Sequence, residues 1–171
     1  MGALLAAGVV VVDERGRVLL TRRADFEVWC LPGGMLDEGE SVREAAQREL
    51  AEEVGDVGDL GRLVGLYSEV GSWSDVHIAV FAALRRDGPM ASNTEVTDVG
   101  WFFQYELPED IFWWNLGYIA DALDGATGVT RRVDIRCRVG RVERVELYRQ
   151  RDAFEGSPTE FFHWCFPRPT S

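Results

Sequence analysis

Apolar residues along the chain follow two periods, and the switches between them mark the elements. Val9 to Val12 is a β-branched run, Asp13 to Arg17 is polar, and Val18 to Thr21 is apolar again. Two β-type runs around a polar, glycine-containing turn predict a hairpin. Beyond a loop with Trp29, Pro32, Gly33 and Gly34 the period changes. At about 100° per residue, Val42, Ala46, Leu50 and Val54 form one stripe of a helix. Ser41 with Glu44 makes a capping box and Gly55 a stop, so the helix is expected over 41–54. Arg62–Tyr67, Val76–Leu84 and Val96–Phe103 read as strands, and a second helix is expected from Leu107-Pro108 to a stop at Gly125. From Val133, strict alternation sets Val133, Ile135, Cys137 and Val139 against Asp134, Arg136 and Arg138. With Gly140-Arg141 as a turn, and Val145 and Leu147 alternating again, an amphipathic β-hairpin is expected. The last run, Phe161 to Phe166, is apolar enough to need a surface to dock on. Strands at both ends with helices between predict an α/β fold, a mixed β-sheet covered by helices. The expected division is a domain over 1–125 and a C-terminal extension over 126–171.

Composition narrows the class. The 171 residues are 46% apolar and 11% aromatic, which suits one domain with a sizeable core and excludes a disordered chain. All 18 basic residues are Arg, and the net charge is −11. So acidic a surface argues against nucleic acid as a partner and requires something other than bulk charge to meet phosphates. The run Met1–Val12 is shorter than the roughly 18 residues of a membrane span and lacks the basic start of a signal peptide. No membrane partner is expected. Cys30, Cys137 and Cys165 are scattered, without a C-x-x-C, and suit buried thiols in a reducing, cytoplasmic location. Between Arg131 and Arg151 stand eight Arg against Asp134, Glu143 and Glu146. That basic stretch has two readings: a hairpin packed on a partner subunit, giving a homodimer, or an arm that supplies arginines to the phosphates of a neighbouring site.

The chemistry concentrates between Gly33 and Gly55. On the helical wheel, Glu49, Glu52 and Glu53 share an arc of about 100° beside the apolar stripe, with nothing basic inside it. Like charges at such spacing destabilise an isolated helix by a few tenths of a kcal/mol per pair, so the cluster reads as a seat for divalent cations, which want oxygen ligands. Gly33-Gly34 lets backbone approach a ligand closely, and Arg48, next to the arc, can brace the preceding loop through bidentate bonds.

Gly34, five residues, Glu40, seven residues, Arg48-Glu49-Leu50, one residue, Glu52-Glu53, one residue and Gly55 together resemble the Nudix box of the Nudix hydrolases. Asp56 stands where the family has an aliphatic residue, a packing position. The strand VLLTRR, the loop Trp29 to Gly34, and Val96–Phe103 followed by Glu106-Leu107-Pro108 resemble the flanking elements, so the likeness covers about residues 3–124. It implies an α/β/α sandwich of the MutT-like type and a pyrophosphohydrolase, a hydrolase acting on phosphorus-containing acid anhydrides. The implied reaction is hydrolysis of the diphosphate bond in ADP-ribose, a nucleotide sugar or a nucleoside triphosphate, with Mg²⁺ or Mn²⁺. By the same resemblance, Glu49, Glu52 and Glu53 are metal ligands with the Gly33 carbonyl. Glu40 supports the loop and Arg48 orients the helix. Glu49, or Glu95 on a later loop, is the general base.

On the substrate side, Arg22 and Arg23 are neighbours on a strand and face opposite ways, so one of them reaches the phosphates; Arg23 is favoured by the resemblance. Trp29 and Trp73 lie in loops where a ring could stack on a base. His77 and His163 read as structural. Two alternatives share the scaffold: a diphosphate-ester isomerase, for which Cys30 is the thiol nearest the loop, and a catalytically inactive nucleotide-binding regulatory module. RNA 5′-end hydrolysis is weaker, because the body is acidic.

Overall fold

The computed structural model of the chain describes residues 4–71, 75–86, 88 and 93–169. Its centre is the first apolar run. Strand β1 (Leu4–Val12) sends Ala6 and Val10 to one face of the sheet and Ala7, Val9 and Val11 to the other, and all five are buried. A strand covered on both faces reads as a continuous apolar run, which is why no polar alternation marks it. β1 meets β2 (Val18–Arg23) antiparallel at Val12↔Val18, forming the expected hairpin. It also pairs with β4 (Gly33–Met35) and, in parallel, with β6 (Val76–Arg85). The mixed eight-stranded sheet runs β3 (Trp29–Cys30), β2, β1, β6, β5 (Gly58–Val70), β8 (Val129–Asp134), with β7 (Val96–Phe102) on β2.

Helix α1 (Val42–Val54) covers one face. Ser41 Oγ accepts from the Glu44 N–H at 3.3 Å while the Glu44 carboxylate accepts from the Ser41 N–H at 2.9 Å, closing the capping box. Ala45, Ala46, Leu50 and Val54 pack on Val9, Val11, Ala79 and Phe81. The other face is covered by α2 (Asn115–Leu123), α3 (Arg144–Asp152) and α4 (Pro158–Cys165), with Tyr67, Val80, Ile119, Leu147, Phe161 and Phe162 in its core. The α/β/α layering follows.

Two expectations need correction. The second helix begins at Asn115, not Leu107, because the backbone of 110–112 is used beside β3: the Trp29 N–H donates to Asp110 and the Phe112 N–H to Trp29. The C-terminal hairpin is absent; one strand and two helices stand there. Alternation holds as far as Ile135, whose N–H donates to the Val70 carbonyl and extends the parallel β5–β8 pairing. Residues 144–152 then follow the helical period: Arg144, Leu147, Tyr148 and Arg151 face the protein, while Val145 is exposed. Residues 126–169 therefore complete the same sheet and the same core as the residues before them. Among the described residues, no helix is long and apolar enough to cross a membrane.

Candidate active site

β4, paired with the central strand β1, lies against the middle and the end of α1. Gly33 has φ +152°, and a Cβ there would lie 2.3 Å from the Ala7 carbonyl oxygen; at Gly34 it would lie 2.3 Å from Glu49 Oε1. Glycine at both positions lets the loop lie flat between β1 and the α1 carboxylates. Arg48 ties the two together. Its Nε and Nη2 donate to the two oxygens of Glu40, both at 2.9 Å, Nη2 also reaches the Met35 carbonyl at 3.0 Å, and Nη1 donates to Glu49 Oε1 at 2.8 Å. The paired, charge-assisted bonds to Glu40 fix the guanidinium in direction as well as place, and its one further bond holds Glu49.

Glu49 and Glu53, one helical turn apart, both line a cavity of about 380 Å³ together with Gly33, Gly34, Arg23 and Glu95. Glu53 accepts from the Gly33 N–H at 3.3 Å and is 7% exposed. Burial, and then the charge of Glu49, push its carboxyl up to about 8, against the pull of Arg23. Burial raises Glu49 too, opposed by its bond to Arg48. Two carboxyls at one low-dielectric wall cannot both keep full charge without a cation. Among the described residues no three acidic, histidine or cysteine side chains converge tightly enough to chelate an ion as they stand.

Arg23 closes the opposite side. Nε and Nη2 donate to Asp25 Oδ1 and Oδ2 at 2.8 and 2.6 Å. Helix α3 holds Asp25 in turn: the Tyr148 hydroxyl donates to Oδ2 at 3.0 Å, Arg144 Nε to the Tyr148 oxygen at 2.8 Å, and Arg151 to the Asp25 carbonyl at 2.7 Å. The arginine-rich segment thus finds partners in its own chain, Arg131 with Asp121 and Arg141 with Asp75 included.

Other expected residues lie elsewhere. Arg22 and Trp29 are cross-strand partners on the side of β2 away from Arg23, where Trp29 sets its ring edge-on to Phe102 at 5.0 Å. The period-two geometry of a strand places them there. Glu52 points outward, its side chain 57% exposed and 3.4 Å from Arg48, because it sits at i+3 from Glu49 and off the cavity side. Glu40 is spent on Arg48, outside the cavity lining. Trp73 lies outside the described residues.

Sequence reasoning missed several lining groups: Asp25, Glu69, Asn115, Arg144, Tyr148 and Phe162. The Asn115 carbonyl oxygen accepts from the Leu31 N–H at 3.0 Å, buried at the start of α2. None of them carried a local signal; Glu69 is one of two acids in β5, with Asp59.

Comparison with known proteins agrees with this geometry. The family model for the NUDIX domain matches residues 3–122. A Bacillus subtilis protein described as a candidate 8-oxo-dGTP diphosphatase is 36% identical over 102 residues, 60% of this chain and 68% of that one. A MutT-like protein of Streptomyces ambofaciens is 35% identical over 117 residues, 68% of this chain and 75% of its own. The crystal structure of a mutator MutT protein from Bacillus halodurans superposes with a TM-score of 0.67 over 78% of this chain and 90% of that one, at 24% identity. A family match across seven-tenths of the sequence, on a sheet and helix already folded to suit it, makes the chain a member of the Nudix hydrolases, pyrophosphohydrolases of nucleotide derivatives.

Proposed function

We propose that the protein hydrolyses the diphosphate bond of a nucleoside triphosphate, or of a small nucleoside diphosphate derivative such as ADP-ribose or a nucleotide sugar, with Mg²⁺ or Mn²⁺. One observation carries the reading: Glu49 and Glu53 of α1 line one cavity with Arg23 and Glu95, which are distant from them in sequence. Its donors suit a hard divalent cation, since carboxylates and the Gly33 carbonyl are oxygen ligands, and the burial and the Glu49 charge that together raise Glu53 are what a cation offsets. Glu49, Glu53 and the Gly33 carbonyl would hold it, with Glu52 at the outer margin. Such an ion withdraws charge from diphosphate oxygens and makes a bound water more acidic.

The chain's own residues supply the rest. Arg23, held by Asp25, offers its remaining N–H groups to a substrate phosphate. Glu49, aimed by Arg48, takes the proton of the attacking water; Glu95, across the cavity, is the second candidate for that role. A homodimer remains part of this reading; within the chain, Arg131 pairs with Asp121 and Arg141 with Asp75.

The test is a panel of nucleoside triphosphates, nucleotide sugars, ADP-ribose and dinucleoside polyphosphates with Mg²⁺ or Mn²⁺, following release of the cleaved phosphates. Turnover that disappears on adding a chelator, and in Glu49→Gln, supports the reading. A folded protein that cleaves none of them overturns it.

A further inference from the structure

The cavity has an end that bond cleavage leaves unexplained. Glu69, near the end of β5, lines it with Val76 and Ile78. The Tyr118 hydroxyl donates to Glu69 Oε1 at 2.8 Å, and that donor is fixed: Tyr118 is 1% exposed, and its ring lies on Tyr67 at 4.1 Å. Among the described residues Glu69 takes no other hydrogen bond and no ion pair. Burial pushes its carboxyl up to about 7, with Tyr118 alone acting the other way. A carboxylate accepts about four hydrogen bonds, so most of its capacity is unused among the described residues. Polar capacity left open inside a ligand-sized cavity is capacity for a ligand.

Elsewhere the wall of the same cavity is aromatic, and Phe112 there lies under the Arg23 guanidinium at 5.8 Å. Phe112 and Trp114 come from the loop before α2, and Phe162 and Phe166 from α4 and its end. Phe112 and Phe162 stack at 4.9 Å with rings 2° from parallel, and Trp114 lies 5.9 Å from Phe162. Phe162 and Phe166 belong to the segment beyond residue 122, where the family match ends.

We propose that this cavity also binds the substrate's base, with Phe162 and Phe166 in its apolar wall and Glu69 selecting a base edge that presents adjacent N–H donors, as guanine does. The proposal rests on the diphosphate-hydrolase reading above. Guanine offers N1–H and the N2 amino group side by side, matching the acceptors of one carboxylate. Adenine and cytosine place a ring acceptor beside their amino donor, which sets lone pair against lone pair. Hypoxanthine keeps N1–H and lacks the amino group.

The experiment compares kcat and KM for GTP, ITP, ATP and CTP in the wild-type protein and in Glu69→Gln, with calorimetric titration of GMP, which has no diphosphate bond. Gln keeps an oxygen for Tyr118 and turns donors toward the base. A good bidentate pair to a base edge discriminates by about 10- to 100-fold. The expected result is a GTP KM about tenfold below that of ITP and lower still against ATP and CTP. In Glu69→Gln the GTP KM rises about 10- to 100-fold at nearly unchanged kcat, the GTP:ITP ratio collapses, and GMP binding weakens in step. Equal KM values for all four nucleotides, or an unchanged GTP:ITP ratio in the variant, overturns the assignment of Glu69. Phe162→Leu keeps the core filled and removes the ring; it is expected to raise every KM alike, and unchanged values remove the C-terminal wall from the site. Glu69-dependent GMP binding without hydrolysis would keep the base site and sink the hydrolase reading. Hydrolysis without base preference would do the reverse.

Discussion

Tyr148 of α3 donates its hydroxyl to Asp25, the carboxylate that clasps Arg23, although the two residues are 123 positions apart in sequence. Tyr148→Phe removes that donor and leaves Arg23 less firmly held. The expected outcome is a KM for nucleotide raised several-fold with kcat little changed, and a loss of about 1 kcal/mol in stability. Steady-state kinetics beside a urea melt checks it; a fall in kcat at constant KM would show that Asp25 serves the chemical step instead.

Replacing Glu53 by Gln should move activity and stability in opposite directions. Turnover should fall by roughly 10²- to 10⁴-fold, because a buried carboxylate at the reacting end is lost. Without metal, the variant should melt no lower than the parent at pH 8, since burial and Glu49 disfavour the charge that Gln lacks. Differential scanning fluorimetry and a phosphate-release assay on one preparation read both; a large drop in melting temperature would make Glu53 a structural acid.

Glu69 should impose a slope on stability against pH. In the unfolded chain its carboxyl ionises near 4.5, whereas in the folded protein burial raises it to about 7. Between those values the folded state holds a proton that the unfolded state has released. Stability contributed by the neutral carboxyl is therefore complete below pH 4.5, declines by about 1.4 kcal/mol per pH unit, and levels off above pH 7, about 3 kcal/mol lower. Glu69→Gln should flatten that component, so the variant gains on the parent as pH rises. Denaturant melts at pH 5 and pH 8 measure it, and parallel profiles for the two proteins would refute it.

The three thiols should differ sharply in reactivity. Cys137 and Cys165 lie 3.4 Å apart, and the bond from Cys165, helped by backbone N–H groups at Val139 and Gly140, draws the Cys137 thiol below its usual range. Burial pushes Cys30 up to about 11. Thiolate character and access decide alkylation, so brief iodoacetamide treatment at pH 7.5 should mark Cys137 first. Peptide mapping that finds Cys30 labelled first would contradict this.

Much of the site could be read from the chain because one short helix carries it. Ser41, Glu44, Leu50 and Gly55 fix the ends and inner face of α1, and the same periodicity places Glu49 and Glu53 together. A wheel gives an arc and not the direction of a wall, so it does not show that Glu52, three positions on, already leans to solvent. Trp29 looked free in a loop, but its backbone bonds to the 110–112 segment, an interaction with no local signature. The C-terminal segment was misread for a related reason. Val145 and Leu147 match a two-residue alternation, yet Arg144, Tyr148 and Arg151 match the helical period and are polar, so hydrophobic patterning alone overlooked them. Asp25 and Glu69 acquire meaning only when strands and helices remote in sequence enclose them.

β8 is the last strand of the sheet on its side, and Thr130, Arg131 and Arg132 in its middle are exposed. An edge strand invites another chain to add on, and the ion pairs along it, Arg131 with Asp121 and Arg132 with Asp134, would have to be displaced or desolvated by any copy that approaches. The strand that finishes this sheet therefore also guards it against growing, end to end, into an aggregate.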